Sequence, residues 1–216
     1  MTPASTPTPR RILGIDPGLQ VTGYAVLEAT SRGPAAIDAG VIRSADGRDA
    51  ADMARRVKTL YDGICEVLTE WKPSVMVVEQ LFAHYEHPRT AILMAHARGA
   101  YFLAGAQHGI PVLSYAATRI KKLVTGSGRA SKEQMQHAIM RELGLAQLPE
   151  PHDVADALGI ALCHYFASAT IVRGTTSAVF TGVNQQAILG TDPDLLDEPD
   201  EGNSRKSSSQ PRDKSA

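Results

Sequence analysis

Four acidic residues stand where structural chemistry has little use for a charge. Asp16 closes the apolar run Ile12-Leu13-Gly14-Ile15 and is followed at once by Pro17-Gly18. Glu79 ends "VMVVE", a segment too apolar for a strand with one solvated face. Asp153 and Asp156 lie three residues apart in "PHDVADALGIALCHYF", which puts them on one face near the start of a helix. Taken singly, most have ordinary explanations. An Asp after a strand often forms a turn, and acids in a first helical turn favour the helix dipole. Glu79 resists such an explanation. If the strands around 12–16 and 74–80 are neighbours, their ends bring Asp16 and Glu79 together, and a later helix can lay Asp153 and Asp156 over the same point. Four gathered carboxylates repel one another unless divalent cations sit between them. Oxygen ligands without paired Cys or His select Mg²⁺ or Mn²⁺. Two such ions about 4 Å apart suit in-line phosphoryl transfer, one activating water and one stabilising the leaving oxygen.

Periodicity supplies the elements that must hold these acids. Residues 12–16, 21–29 and 36–43 alternate or run apolar between turn residues such as Gly18 and Arg32-Gly33-Pro34, and predict a three-stranded meander. Helical spacing follows over 49–71, with Met53, Val57, Leu60, Ile64, Val67 and Leu68 on one face and Pro73 as the stop. A buried strand is expected at 74–80, a helix at 88–107 with Pro88 near its first turn, and a fifth strand at 110–116. Helices at 117–124 and 131–143 flank the loop "TGSGRASK", and Ser131 with Gln134 fits a capping box. The last helix is placed at 151–169. This order predicts an α/β domain with a mixed sheet.

The 216 residues and 43% apolar content suit one globular domain. No apolar run approaches the ~20 residues of a membrane span, and "MTPASTPTPRR" lacks the apolar core of a signal peptide, so a cytoplasmic location without membrane partners is expected. Cys65 and Cys163 lie far apart in apolar helical patterns and are expected to pack in the core of a reduced protein. Net charge is −1, but residues 191–216 carry 7 acidic and 4 basic residues, which leaves the body near +2. The domain is placed at 11–172, residues 1–10 are expected to be a disordered extension, and 173–216 an uncertain to disordered acidic, Ser-rich tail.

Lys121, Lys122, Arg129 and Lys132 surround the "TGSG" loop. Glycines among cations let both backbone N–H groups and lysines approach a phosphodiester, although the same residues also suit a plain solvated surface. His84 and His87, two loop histidines without a third ligand, read as solvated rather than metal-binding. His152 adjoins Asp153 either as a surface cap residue or as a helper of the acids. The helix at 88–107 is rich in small residues (Ala91, Ala95, Ala97, Gly99, Ala100, Ala104, Gly105, Ala106). Part must face the sheet; the rest is a candidate dimer surface, with tight packing inside one chain as the competing explanation.

"GIDPGLQVTGYAVLE", "VVEQLF", "HARGA", "VTGSGRASKEQMQ" and "HDVADALGIALCH" occur in this order across residues 12–164. Together they resemble the RuvC family of Holliday-junction resolvases. The resemblance implies an RNase H-like α/β fold with a mixed five-stranded sheet flanked by helices. It implies a Mg²⁺-dependent homodimer (Mn²⁺ substituting, one or two ions per subunit) that nicks opposed strands of a four-way DNA junction, leaving ligatable 5′-phosphate ends. It also implies partnership with the RuvA–RuvB branch-migration machinery in recombination and repair. By motif, Asp16, Glu79, Asp153 and Asp156 match the family's catalytic, metal-holding acids. Phe82 matches its aromatic near the junction centre, and Lys121 and Lys132 its contacts near the scissile phosphate. Lys122, Arg129 and Arg89 are DNA contacts by position, as are His84, Tyr85 and His87. The stretch after "EQLF" reads "AHYEHPRT", apparently one residue longer than in many relatives, so contacts there transfer least well.

Two other classes compete with this reading. A phosphotransferase of the actin-like fold needs two such domains for ATP, and one body of about 160 residues with no P-loop supplies only one. A junction-binding protein without catalysis would tolerate loss of the acids, yet all four are present.

Overall fold

The computed structural model describes residues 10–44, 52–81 and 88–174. The elements follow the expected order: β1 (Arg11–Asp16), β2 (Val21–Thr30), β3 (Gly33–Arg43), α1 (Met53–Trp71), β4 (Val75–Glu79), α2 (Pro88–Gln107), β5 (Val112–Tyr115), α3 (Ala117–Thr125), α4 (Lys132–Leu143) and α5 (His152–Gly174). The first helix starts later than its periodicity suggests because Asp52 caps it, its side chain accepting from the Arg55 amide. Ser131 and Gln134 form the expected capping box on α4. The expectations for residues 1–9 and for the tail beyond 174 lie outside the described residues.

The sheet order is β3-β2-β1-β4-β5. β1 runs antiparallel to β2 and parallel to β4, and β4 runs parallel to β5. The sheet is therefore mixed, with the returning strand β4 beside β1 as the sequence suggested. Successive residues of a strand point to opposite faces, so the sheet has two cores. On one face Leu13, Ile15, Met76 and Val78 pack with Leu60, Ile64 and Leu68 of α1 and with Ala97, Tyr101 and Ala104 of α2. On the other, Ile12, Val75 and Val77 pack with Ile120 of α3, Ile139 of α4, and Ala157, Ile160 and Ala161 of α5.

Helix α5 is buried on more than one face. Val154, Ala155 and every residue from Ala157 to His164 are buried, so most of its circumference is enclosed. Two glycines make that fit. A Cβ on Gly14 would stand 2.3 Å from the Ala157 carbonyl oxygen, and one on Gly23 would stand 2.0 Å from the Asp153 carbonyl oxygen. The helix thus lies on bare backbone of β1 and β2, closer than side chains allow.

Gly14→Ala should therefore destabilise the fold by roughly 1–3 kcal/mol, since the methyl meets helix backbone rather than a movable side chain. Urea unfolding followed by circular dichroism measures this; stability equal to the parent's would show that α5 can lift without loss.

Candidate active site

Asp16 is the last residue of β1 and Glu79 the last of β4. The parallel register pairs Ile15 with Val78, so the next step sets Asp16 beside Glu79 at the carboxyl end of the sheet. Both share the face that carries α5. Asp16 also pairs with Gly23 across the β1–β2 ladder, and Gly23 is where the Asp153 backbone seats. One helical turn therefore delivers Asp153 and Asp156 to the ends of β1 and β4. All four acids predicted from the sequence come together from three elements.

Their electrostatics register the crowding. Burial first, then the charges of Asp156, Glu79 and Asp153, push the Asp16 carboxyl up to about 7, against an opposing pull from Lys132. Glu79 is likewise raised to about 7, by burial and then by Asp156, with Lys121 opposing. Asp156 is raised by burial and by Asp153, while Lys132, His152 and Lys121 oppose. Lys121 and Lys132 line a cavity of about 180 Å³ together with Glu79, Asp156, Met135 and Ile160. Of the predicted cations, these two reach the acids. Lys122 and Arg129 are exposed and do not line that cavity. Phe82, His84, Tyr85 and His87 lie outside the described residues, as does the side chain of Arg89. His152 accepts from the Gln136 side-chain amide at 3.2 Å, which ties the start of α5 to α4.

Among the described residues, no group of three or more His, Cys, Asp or Glu closes on one point as an ion's coordination shell. In kind, the donors nevertheless fit a hard divalent cation. They are all carboxylate oxygens, held from rigid elements, and their mutual repulsion is only partly offset by Lys121, Lys132 and His152. Sequence reasoning missed Gly14 and Gly23, which bring α5 close enough to complete the cluster. Glycine inside an apolar strand was the available signal, because it marks close backbone approach.

The fold and site define the class: an RNase H-like α/β domain with a carboxylate centre at the carboxyl edge of its mixed sheet. Residues 12–164 match the family model described as crossover junction endodeoxyribonuclease RuvC. A relative of that name from Rhodopirellula baltica is 48% identical over 161 residues, covering 74% of this chain and 89% of the relative. One from Legionella pneumophila (strain Corby) is 40% identical over 153 residues, 71% of this chain and 85% of the relative. The solved structure of Thermus thermophilus RuvC superposes with a TM-score of 0.68 at 29% identity, covering 74% of this chain and 96% of that one. The T. thermophilus protein in complex with a Holliday junction substrate gives a TM-score of 0.69. The chain belongs to the RuvC family of crossover junction endodeoxyribonucleases.

The raised carboxyls carry a pH signature in protein freed of divalent ions. A carboxyl whose folded pKa lies near 7, against about 4 when unfolded, lowers stability progressively as pH rises from 4 to 7 and uniformly above that. Asp16→Asn should thus be more stable than the parent in EDTA at pH 8, by on the order of 2 kcal/mol. The gap should close toward pH 4. Paired denaturant titrations across that range test it, and a gap that does not vary with pH would contradict it.

Proposed function

We propose that this protein is a structure-selective endonuclease that resolves four-way DNA junctions by paired, metal-dependent phosphodiester hydrolysis during recombination and repair. The observation that carries this reading is the meeting of Asp16, Glu79, Asp153 and Asp156 at one sheet edge, with Asp16 and Glu79 both raised to about 7. Such a centre is costly to a fold and has a use in phosphoryl transfer. These four acids would hold Mg²⁺, or Mn²⁺ in its place, as one or two ions per subunit. When bound, the cation neutralises charge developing on the phosphoryl oxygens and makes water nucleophilic at neutral pH.

The chain's own side chains do the rest. Asp16 and Glu79 are fixed by strand backbone, so the site is set before substrate arrives. Lys121 and Lys132 line one cavity with Glu79 and Asp156, where they draw in a phosphodiester against the carboxylate charge. Lys122 and Arg129 supply further phosphate contacts; Phe82, by its match to the family's aromatic near the junction centre, and Arg89, by position in the sequence, are the remaining proposed DNA contacts. Hydrolysis leaves 5′-phosphate ends. The nuclease domain is taken as 11–172, and RuvA–RuvB as its branch-migration partner.

A four-way junction needs two symmetry-related nicks, and one domain carries one cluster, so the working unit is proposed to be a C2 homodimer. Helix α2 offers the surface. Ile92 and Leu103 are 59% and 53% exposed, and Ala95, His96, Gly99 and Ala106 are exposed with them. A Cβ on Gly99 would meet nothing within 4 Å. A mid-helix glycine costs about 1 kcal/mol relative to Ala, and close approach by a second helix gives it a reason. Ala97, Ala100 and Ala104 are buried and belong to the core, so bulky changes at Ala97 or Ala100 would probe folding rather than association.

Asp16→Asn, Glu79→Gln, Asp153→Asn and Asp156→Asn should each reduce cleavage of a mobile four-way junction by roughly a hundredfold or more, while junction affinity, set mainly by phosphate contacts, survives. Mg²⁺ and Mn²⁺ should support cleavage, whereas Ca²⁺ should support binding with little turnover because its longer, looser bonds misplace the reacting oxygens. Full activity in EDTA, or equal cleavage of linear duplex, would overturn the reading. For the dimer, Leu103→Asp should give a folded monomer by sedimentation at micromolar concentration, with uncoupled nicking of a cruciform plasmid; a parent protein that sediments as a monomer on and off DNA refutes this arrangement.

A further inference from the structure

On the α2 side of the sheet, opposite α5, two buried hydroxyls face each other. Thr22 of β2 and Tyr101 of α2 are both 0% exposed. The Thr22 hydroxyl donates to the Gly18 carbonyl oxygen at 2.6 Å. A hydroxyl has one proton to give. The Tyr101 hydroxyl is hydrogen-bonded to the same Thr22 oxygen, so Tyr101 is the donor in that pair. The Gly18 amide also approaches this oxygen, at 3.4 Å. Thr22 Oγ1 thus gives one bond and receives two, which uses its whole capacity. The proton order runs one way, from Tyr101 to Thr22 to Gly18.

The far end of this chain is the turn that leaves Asp16. Gly18 lies two residues beyond Asp16 and admits no side chain, since a Cβ there would stand 2.0 Å from the Val21 carbonyl oxygen. On the other side of the turn, Asp16 itself pairs with Gly23, the neighbour of Thr22. The Asp16-Pro17-Gly18 turn is therefore held by the sheet ladder and by one side-chain tie to α2, while Ser44 separately holds the next two residues, its hydroxyl donating to the Leu19 carbonyl and its amide to that of Gln20. Packing alone gives no reason for the Tyr101 hydroxyl. Phenylalanine would fill the same space without a polar group to desolvate. Asp16 is also near enough for its charge to act on the Tyr101 phenol, after the larger effect of burial.

We infer that Tyr101 is a positioning residue for the site, acting through Thr22 to hold the Asp16-Pro17-Gly18 turn and so to fix where the Asp16 carboxylate stands. The catalytic consequence rests on the nuclease reading; the mechanical one does not. Three variants separate them: Tyr101→Phe, which keeps the ring; Thr22→Val, which keeps the shape; and Thr22→Ser, which keeps the hydroxyl. In metal-free protein, amide hydrogen exchange over residues 18–20, and at Gly18 above all, should quicken by roughly tenfold in Tyr101→Phe and Thr22→Val, relative to α5 in the same molecules. At saturating MgCl₂, kcat on a mobile junction should fall about five- to twentyfold in both, with junction Kd within about twofold of the parent, and Thr22→Ser should recover most of the loss. Should Thr22→Val fail to fold, Tyr101→Phe decides. Unchanged exchange over 18–20 relative to α5, or kcat within about twofold of the parent in a folded variant, overturns the inference. If the parent protein does not cleave junctions, the nuclease reading fails and the exchange measurement alone decides whether the tie exists.

Discussion

The Asp153 carbonyl oxygen lies 2.0 Å from the point where a Gly23 Cβ would stand, and the Ala157 carbonyl oxygen 2.3 Å from the corresponding point on Gly14. Helix α5 is seated on strand backbone, and the site depends on that seat. A methyl at either glycine would lift the helix or displace the strand. The acids of α5 would then stand away from Asp16 and Glu79, which the parallel β1–β4 register fixes side by side. The enclosure of α5 by α3, α4 and the sheet gives this element little room to adjust.

That geometry opposes the fold it sits in. Packing four carboxylates at the end of a core raises Asp16 and Glu79 to about 7, with Lys132 opposing the shift of Asp16 and Lys121 that of Glu79. The protein thus holds a centre that is poorly satisfied by its own side chains and well suited to charge brought from outside. Stability surrendered at such a site is a familiar trade in enzymes, where pre-placed charge is worth more during the reaction than it costs at rest. The two lysines limit the repulsion without closing ion pairs on the acids, which leaves the carboxylate oxygens available.

Helix α2 joins two parts of the molecule that the sequence presents separately. Its inner face carries Tyr101, which reaches the turn after Asp16 through Thr22. Its outer face carries Gly99 and Leu103 to the surface. Arg98 lies between them, donating to the Ser114 hydroxyl at 2.6 Å and lying over the Phe102 ring at 4.5 Å.

Much of this was legible in one dimension. Periodicity, apolar runs and turn residues mark the ten elements of the described residues; Glu79 stood out because a charge at the end of a wholly apolar strand has no packing role, and Asp16, Asp153 and Asp156 stood out by their spacing around it. Their meeting also followed once β4 returned beside β1. The capping box of α4 was readable because it is a contact between residues three apart. What the sequence could not decide was how near α5 would lie, which faces of α2 and α5 would be covered, and what Tyr101 would touch. Small residues surround α2 on every side, so periodicity does not separate the buried Ala97 and Ala100 from the exposed Ala95 and Gly99. Tyr101 and Thr22 are 79 residues apart, and their bond exists only because two elements pack on one face of the sheet. Local spacing determines which groups an element presents; only tertiary packing determines the distance across which two elements present them to each other, because that distance is set by the side chains of both.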